Sequence, residues 1–358
     1  MGYVDIDPEL IYEFEEKVLV DVRSPAEFEE FHIPGAVNVP LFEDEEKKLI
    51  GQIYRTRGEA EARKVGEEIA LSRIGKLAEE IRKLKEEHGN VIVYCWRGGM
   101  RSKGFCEAMA RLGIQTYRLR GGYRAYRNFI LKDMERILEG VNFIVLTGRT
   151  GVGKTRILRK LKEKGLPVID LEGLAMDRGS VFGGVGMKKR VSQKMFDSMI
   201  YEDLRRIGGG PIFIEDESRW IGNVHIPEAL WRKKEKGIYV EIKASLETRI
   251  RNILEDYTSS EGWEEEARTA LYRIRKYLGP QKFSYVVERF DKGDYEEVVR
   301  FLIEEYYDRK YKQFGVPVAE FWADDLEGCV RDLEEFLKES FHEGKVQDSP
   351  VQERQEAL

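Results

Sequence analysis

Short apolar runs alternate with longer amphipathic stretches along the first part of the chain. The runs at 17–23, 90–95 and 114–119 have the length of strands and end in polar or reactive residues. Residues 58–88 and 103–112 instead carry apolar side chains at helical spacing among charged ones. Strands that alternate with helices in this way predict a parallel sheet with helices on its faces.

The same alternation begins again near residue 141. Strands are predicted at 143–147, 166–173, 211–217 and 237–245. Helices are predicted at 155–164, 192–207 and 246–257, and most of 262–313 reads as helical. We therefore expect two α/β domains over 1–135 and 136–325, the second with a helical extension, and then a C-terminal helix with a polar tail over 326–358.

The composition narrows the class of protein. Of the 358 residues, 42% are hydrophobic and 35% are charged, which provides sizeable cores and excludes general disorder. The net charge of −6 argues against a generic nucleic-acid coat protein but leaves room for a local basic surface. Three cysteines are too few for a disulfide scaffold, and no apolar run is long enough to span a membrane. We expect a cytoplasmic protein with no membrane partner.

One cysteine lies in a sequence context that favours reactivity. Cys95 follows the predicted strand at 90–94 and opens the loop CWRGGMRS, after which a helix begins. Backbone N–H groups at a helix N-terminus, with Arg97 and Arg101 nearby, favour a thiolate and hold an anion against it. The predicted chemistry is that of a thiolate nucleophile acting on an oxyanion or on a sulfur-group donor. Cys106 and Cys329 are expected to be buried structural residues.

These strings resemble those of a rhodanese domain. The resemblance rests on 17–23 with the following SPAEF, on HIPGA at 32–36, on the loop at 95–102 and on RGGY at 120–123. It implies a rhodanese-like N-terminal fold whose loop cysteine carries a transferable sulfur atom. Five residues separate Cys95 from Arg101, a spacing that rhodanese-fold phosphatases also show, so sulfur-group transfer and dephosphorylation both stay open.

A second motif is a complete phosphate-binding loop. The string GRTGVGKT at 148–155 follows an apolar strand and opens a helix, which is the context that the P-loop pattern requires. The phosphate-binding candidates are Gly148, Thr150, Gly151, Gly153, Lys154 and Thr155. Lys154 is expected to reach phosphate oxygens and Thr155 to ligate Mg²⁺. The second domain is therefore predicted to be P-loop NTPase-like.

Acidic residues end the predicted strand at 211–217, as in a Walker B strand. Glu215 and Asp216 are candidates for holding Mg²⁺ through water, or for an acid role, and pairing with nearby arginines is the alternative. Two arginines at 249 and 251 follow the next strand. They either reach phosphates or belong to a solvated helix face.

A rhodanese domain upstream of a P-loop domain resembles the tRNA 2-selenouridine synthase family. The most specific strings are YCWRGGMRS at 94–102, DLEGLA at 170–175 with RGS at 178–180, and EDESR at 215–219 with Ile221 and Gly222. The resemblance covers about residues 15–325. The chain departs from it at Asp177, where the family commonly has histidine, so any role of that imidazole is in doubt here.

The resemblance implies a two-step modification of the wobble 2-thiouridine in tRNAs for Lys, Glu and Gln. The sulfur is first geranylated with geranyl diphosphate, and selenium from selenophosphate then replaces the S-geranyl group. Cys95 would carry the selenium as a selanylsulfide, and an enzyme that supplies selenophosphate is an implied partner. A diphosphate leaving group suits the P-loop and Lys154 without a need for ATP, so geranyl diphosphate is the favoured P-loop ligand over a nucleotide or a tRNA phosphate.

An RNA substrate requires a local basic surface. Arginines that alternate with tyrosines suit phosphate contacts and stacking on unpaired bases, although ordinary solvated charge is the alternative for each cluster. The candidates for binding tRNA are Arg120, Tyr123, Arg124, Arg127, Lys188, Lys189 and Arg190, with a further basic cluster at 232–234.

Two other classes of protein stay open at this point. One is a rhodanese-type sulfurtransferase or phosphatase fused to a P-loop module. The other is a P-loop small-molecule kinase whose rhodanese domain is catalytically inert. A kinase would need Lys154 and ATP but not Cys95, whereas the leading interpretation needs both residues and tRNA.

Overall fold

The computed structural model describes residues 2–180, 182–186, 190–258, 260–311 and 315–342. The chain forms two compact units. The first comprises Met1–Asp133 with Asp197–Tyr201, and the second comprises Met134–Phe196 with Glu202–Leu358. The predicted fold class, two successive α/β domains with a helical part at the C-terminal side, is confirmed.

The first unit contains a parallel five-stranded sheet. Its strands are β1 (Val4–Ile6), β2 (Lys17–Asp21), β3 (Val37–Asn38), β4 (Asn90–Tyr94) and β5 (Tyr117–Leu119). They lie in the order β1-β5-β4-β2-β3. The apolar residues of β2 and β4 are buried on both faces, as expected for central strands of a parallel sheet. The strands predicted at 17–23 and 90–95 are confirmed.

Helices flank this sheet. They are α1 (Pro25–Glu30), α2 (Asp44–Arg57), α3 (Glu59–His88), α4 (Met100–Arg111) and α5 (Gly122–Glu139), with a 3₁₀ helix over Pro8–Glu13. The last turns of α5, from Met134 on, are counted with the second unit. The predicted helix at 58–88 is confirmed as α3, but α2 was not predicted. Gly58, at a φ of +88°, separates α2 from α3, a backbone conformation that glycine adopts at little cost.

The second unit is built on another parallel sheet. Its strands are β6 (Val141–Thr147), β7 (Val168–Ile169), β8 (Gly210–Glu215), β11 (Ile238–Lys243) and β12 (Ala319–Trp322), in the order β12-β11-β6-β8-β7. Strands β9 (Trp220–Ile221) and β10 (Val224–His225) form a separate antiparallel pair. Strand β6 is central, so the loop that follows it lies at the carboxyl edge of the sheet, where open α/β folds bind ligands.

The first long helix of this unit, α6 (Lys154–Glu163), begins within the P-loop motif. The others are α7 (Leu171–Ala175), α8 (Gln193–Ile207), α9 (Glu228–Glu235), α10 (Leu246–Tyr257), α11 (Trp263–Leu278), α12 (Pro280–Asp291), α13 (Tyr295–Leu302), α14 (Asp308–Lys310) and α15 (Leu326–His342). The segment Asp197–Tyr201 of α8 is counted with the first unit. A π-helical turn over Ile303–Tyr307 joins α13 to α14. The prediction that 262–313 is mostly helical is confirmed for its described residues.

Two parts of this unit differ from the sequence prediction. The strand predicted at 166–173 is wrong beyond Ile169, because the Asp170 carboxylate accepts a hydrogen bond from the Gly173 N–H (2.7 Å) and starts α7. The edge strand β12 was not predicted. Helix α15 packs its Val330 and Leu333 into the same core as Ile144 of β6. The proposed boundaries after residues 135 and 325 stay predictions.

Among the described residues, no helix combines the length and the apolar character that crossing a membrane requires.

Candidate functional site

The thiol of Cys95 lies at the carboxyl end of β4, between that strand and α4. Cys95 is buried, and its Sγ lies 3.2 Å from the Ser102 Oγ in the first turn of α4. The first N–H groups of a helix have no partners within the helix, and they favour an anion. The loop therefore places the Cys95 thiol beside the first turn of α4, and its role in holding an anion stays a prediction.

A second glycine-rich segment, RGGY at 120–123, packs closely against the backbone of the cysteine loop. The Tyr123 N–H donates to the Cys95 carbonyl (2.9 Å) and the Arg124 N–H to the Trp96 carbonyl (3.0 Å). A Cβ atom on Gly122 would lie 2.1 Å from the Cys95 carbonyl oxygen. Gly122 also has a φ of +60°, so only glycine fits there without moving the loop. The segment RGGY thus fixes the backbone of the cysteine loop.

The two arginines of the loop have different surroundings. Arg101 forms an ion pair with Glu27 (2.6 Å), whereas Arg97 is exposed and makes no hydrogen bond or ion pair with any described residue. Burial opposes ionisation of Glu27, but the hydrogen bond and charge of Arg101 hold the pKa of Glu27 below its ordinary value. Arg97 is therefore the loop arginine whose charge is available to an incoming anion.

The P-loop lies between β6 and α6. The Lys154 Nζ donates to the Gly148 carbonyl (3.0 Å), and the Thr155 hydroxyl donates to the Glu172 carboxylate (2.7 Å). Gly148, Gly151 and Gly153 all have positive φ values. A Cβ atom on Gly148 would lie 2.4 Å from the Ile242 carbonyl oxygen. The candidate phosphate ligands, with Thr150, line one cleft of about 480 Å³ that is partly open to solvent.

A group of carboxyl groups faces this cleft or lies directly behind it. The buried Glu215 accepts a hydrogen bond from the Glu172 N–H (2.6 Å) through Oε1, while its Oε2 has no hydrogen-bond partner among the described residues. Burial, reinforced by the charge of Glu172, raises the pKa of Glu215 well above its ordinary value and that of Glu217 to about 8. Burial also raises the pKa of Glu172, although the hydrogen bond from Thr155 opposes this rise.

Asp216 is held by a buried lysine. The Lys234 Nζ lies 3.1 Å from the Asp216 Oδ1 and donates to the Glu217 carbonyl (2.6 Å), and the Lys234 side chain is only 1% exposed. The expectation that 232–234 forms an exposed basic cluster is therefore wrong for Lys234. Its ammonium group is internal because it compensates the Asp216 charge.

Arg249 stabilises the P-loop from the side of α10. Its Nε donates to the Thr150 carbonyl (2.8 Å), and its two terminal nitrogens bind the Asp308 carboxylate at 2.6 and 2.9 Å. The side chain is buried, so the solvated-face alternative does not hold for Arg249. Arg251 on the same helix is exposed.

The candidates for binding tRNA have different surroundings in the structure. Tyr123 is fully buried, with its ring against Phe31 and Trp96, so the expectation that it stacks on a base is wrong in this structure. Arg120 and Arg127 form ion pairs with Asp7 (2.9 Å) and Asp197 (2.7 Å). Arg124 and Arg190 are exposed, and Lys188 and Lys189 lie outside the described residues.

Several contacts in these sites were not predicted from the sequence. Glu172 belongs to the specific string DLEGLA, but nothing there indicated its contact with Thr155. Asp308 was not a candidate, and Lys234 was one only as part of an exposed basic cluster, because no local pattern indicates the pairs that they form with Arg249 and Asp216. Asp177, at the position where histidine was expected, accepts a hydrogen bond from the Gly179 N–H (2.9 Å). Within the described ranges, no group of three or more His, Cys, Asp or Glu residues forms a metal site.

Both halves of the chain are similar to known protein families. Residues 9–129 match the rhodanese-like domain, and residues 141–316 match the family described as the tRNA 2-selenouridine synthase AAA domain. A tRNA 2-selenouridine synthase from Hydrogenovibrio crunogenus is 34% identical, over 82% of this chain and 88% of its own. One from Sulfurovum sp. is 32% identical, over 90% and 94%. One from Nitrosomonas europaea is 34% identical, over 71% and 67%.

Proposed function

Because the chain belongs to the tRNA 2-selenouridine synthase family, we propose that it is a tRNA-modifying enzyme that converts wobble 2-thiouridine to 2-selenouridine. The observation that carries this proposal is that one chain holds both a loop cysteine at the start of a helix and a complete P-loop. The Cys95 thiol lies beside Ser102 of α4, and Lys154 lies in the P-loop. Two steps with two anionic co-substrates would use both.

The first step is geranylation of the tRNA at the P-loop. The thiouridine sulfur attacks the first carbon of geranyl diphosphate, a C–S bond forms, the C–O bond to the diphosphate breaks, and the N3 proton is lost. Lys154 and the loop N–H groups stabilise the charge that develops on the departing diphosphate. No nucleotide hydrolysis is needed for this step.

The second step replaces sulfur with selenium. Selenophosphate is an anion with a soft selenium atom, and it suits a thiol within an anion-binding loop. A C–Se bond forms as the C–S bond breaks, and with one water molecule the products are 2-selenouridine, geranyl thiol and phosphate. Cys95 is the residue proposed to act on selenophosphate: its thiolate takes the phosphoryl group while the P–Se bond breaks, the released selenide attacks the carbon that carries the S-geranyl group, and water then frees phosphate from the cysteine. Arg97 is the cation proposed to attract selenophosphate.

Mg²⁺ is a proposed aid to the first step. The Thr155 hydroxyl, the Glu172 carboxylate and the unpartnered Glu215 oxygen provide the oxygen ligands that Mg²⁺ prefers, directly or through water. Asp216 is less suited, because Lys234 already compensates its charge. A bound Mg²⁺ ion would neutralise part of the diphosphate charge.

The proposed acceptors are the tRNAs for Lys, Glu and Gln, and the proposed partner is the enzyme that supplies selenophosphate. The substrate test is to incubate the protein with 2-thiouridine tRNA and geranyl diphosphate, with and without selenophosphate, and to analyse the nucleosides by mass spectrometry. We expect S-geranyl-2-thiouridine without selenophosphate and 2-selenouridine with it. The absence of both products with folded protein would contradict the proposal.

The same assay separates the other two classes of protein. A phosphatase or a generic sulfurtransferase would hydrolyse phosphomonoesters or transfer sulfur without tRNA. A kinase would consume ATP and would tolerate the Cys95→Ala substitution. The two-step enzyme requires tRNA and does not require ATP.

A further inference from the structure

The short antiparallel hairpin β9–β10 follows β8 and borders the cleft that the P-loop lines. Ser218 lines this cleft, and β9 begins two residues later at Trp220. The turn of the hairpin is also close to the cleft. A Cβ atom on Gly222 would lie 2.5 Å from the Asp177 Oδ2, and the next residue, Arg178, lines the cleft. The hairpin therefore adjoins the cleft through both its start and its turn.

Side-chain amides fix this hairpin, although each of its strands has only two residues. The Gln193 amide group donates to the His225 carbonyl and accepts a hydrogen bond from the His225 N–H, both at 2.8 Å. The Asn223 amide group donates to the Val191 carbonyl (2.9 Å). A two-stranded hairpin on its own is marginally stable in water, so these contacts hold in place a segment that would otherwise fluctuate.

The side chains of the hairpin differ sharply in exposure. Ile221 and Val224 are fully buried, whereas Trp220 is 61% exposed. The Trp220 ring contacts the His225 ring, with their centroids 5.2 Å apart. A tryptophan that is this exposed buries little apolar surface, so it contributes little to the free energy of folding. A fixed and exposed aromatic ring has the properties of a stacking surface for a flat ligand.

Excess positive charge lies beside this ring. Arg219 precedes Trp220, and both Arg219 and Arg232 of α9 form ion pairs with the carboxylate of Glu228. All three charged side chains are exposed, and two guanidinium groups share one carboxylate. Proteins bind unpaired nucleotides with this combination, in which the ring stacks on a base and the cations attract phosphates.

The place of the hairpin indicates which nucleotide it would contact. In the proposed first step, the sulfur of the 2-thiouridine has to enter the P-loop cleft. An enzyme that acts on a base takes that base out of the stack, so the neighbouring base loses a stacking partner. An aromatic ring beside the cleft can replace that partner.

We propose that Trp220 is a stacking platform for the unpaired base next to the wobble 2-thiouridine. The inference rests on the proposed function and deepens it, because it assigns a residue that positions the tRNA loop at the P-loop cleft. Stacking on an aromatic ring tolerates any base, so this platform recognises an unpaired loop rather than its sequence.

The test measures how tightly the full-length protein binds an RNA stem–loop with 2-thiouridine at the wobble position. The control for Trp220→Ala is Trp322→Ala, because Trp322 is 60% exposed and lies on the edge strand β12. We expect Trp220→Ala to weaken binding at least about fivefold and Trp322→Ala to leave it unchanged. Wild-type affinity in Trp220→Ala, or equal losses in both variants, would overturn the inference.

Two further variants separate stacking from apolar packing and cover the case in which Trp220→Ala does not fold. Trp220→Phe keeps an aromatic ring, whereas Trp220→Leu keeps an apolar side chain without one. We expect Trp220→Phe to bind the stem–loop nearly as tightly as the wild type and Trp220→Leu to bind at least about fivefold more weakly. Equal affinities of these two variants would contradict a stacking role.

A second experiment identifies the base. Stem–loops that lack the base on one side or the other of the wobble nucleotide are titrated against the wild type and Trp220→Ala. Loss of the stacked base is expected to weaken binding to the wild type at least about fivefold and to have no further effect on Trp220→Ala, because ring and base act as one pair. Additive losses at both positions would contradict the contact.

The platform and the proposed function fail in different ways. If thiolated tRNA is never modified but the losses from Trp220→Ala and from the missing base are not additive, the proposed function fails and the platform stands. If tRNA is geranylated but Trp220→Ala binds the stem–loop as the wild type does, only the platform fails.

Discussion

At the residue scale, the position of Cys95, rather than its residue type, distinguishes it from the other two cysteines. Burial raises the pKa of Cys106 and of Cys329 to about 12, which keeps both as inert thiols. Cys95 alone among the three follows a strand and faces the first turn of a helix through Ser102. The three cysteines thus divide into one candidate reactive thiol and two structural residues, as the sequence indicated.

The carboxyl group of Glu217 predicts a pH dependence of stability. Its pKa is raised to about 8 in the folded protein, chiefly by burial and then by the charge of Glu172. The folded state therefore holds more protons than the unfolded state between about pH 4.5 and 8, and this contribution to the free energy of unfolding falls as the pH rises through that window.

The substitution Glu217→Gln removes this contribution. Below about pH 4 the variant and the wild type are expected to unfold with similar free energies, because the side chain at position 217 is then mostly neutral in both the folded and the unfolded states. As the pH approaches 8 the variant becomes relatively more stable, by at most about 1.4 kcal/mol per pH unit. Urea titrations across this range measure the difference, and a difference that stays constant or shrinks with pH would contradict the assignment.

At the element scale, the two loops depend on close backbone packing. Gly122→Ala places a methyl group against the Cys95 carbonyl, so the cysteine loop has to shift. We expect selenium transfer to fall at least tenfold while geranylation is retained. Gly99→Ala is the matched control, because a Cβ atom there meets nothing within 4 Å. Nucleoside mass spectrometry measures the two products. An equal loss of selenium transfer in both variants would show that the close contact of Gly122 with the Cys95 carbonyl is not the cause.

The P-loop has a comparable support in Arg249. Arg249→Met removes the hydrogen bond to the Thr150 carbonyl and the ion pair with Asp308. We expect pyrophosphate to bind about tenfold more weakly, because a charge-assisted contact that shapes the loop is lost. Arg251→Met, an exposed arginine on the same helix, is expected to leave the affinity unchanged. Calorimetry measures the affinity of both variants for pyrophosphate. Equal affinities in the two variants would contradict the role of Arg249 in supporting the P-loop.

Prediction from sequence succeeded where a signal is local. Strands β4 and β6 are apolar runs, and the cysteine loop and the P-loop are contiguous motifs. The sequence alone therefore predicted both strands and the loop that follows each of them. Helix α2 has no fully buried residue and therefore gives little apolar periodicity. Strand β12 has alternating partial burial at a sheet edge, which is also a weak pattern.

Contacts between distant segments could not be predicted. The pairs Arg249–Asp308 and Lys234–Asp216 join residues that only the tertiary fold brings together. The same holds for the apolar core of the helical extension, because helices separated by loops each contribute a few residues to it.

At the scale of the whole molecule, the net charge of −6 means that tRNA binding has to rely on local basic groups. Arg124 is the clearest candidate among the described residues, because it is exposed and makes no ion pair within them. Arg124→Ala is expected to weaken tRNA binding and to reduce the salt dependence by about 0.7–0.9 in the slope of log K against log salt.

The control for this prediction is Arg63→Ala, which removes an exposed arginine that pairs with Glu67 on α3. It should leave both the affinity and the slope unchanged. Filter-binding titrations at several salt concentrations compare the variants. An identical slope for Arg124→Ala and the wild type would remove Arg124 from the tRNA-binding surface.

The central claim is that one chain performs two successive steps at two separate groups of residues. The most direct measurement follows both nucleosides by mass spectrometry in Cys95→Ala and Lys154→Ala, with Cys106→Ala as the control for loss of a thiol. We predict that Cys95→Ala accumulates S-geranyl-2-thiouridine and forms no 2-selenouridine. Lys154→Ala should form neither product from 2-thiouridine tRNA but should convert tRNA that is already geranylated. Selenouridine formation by Cys95→Ala at the rate of the wild type would contradict the account.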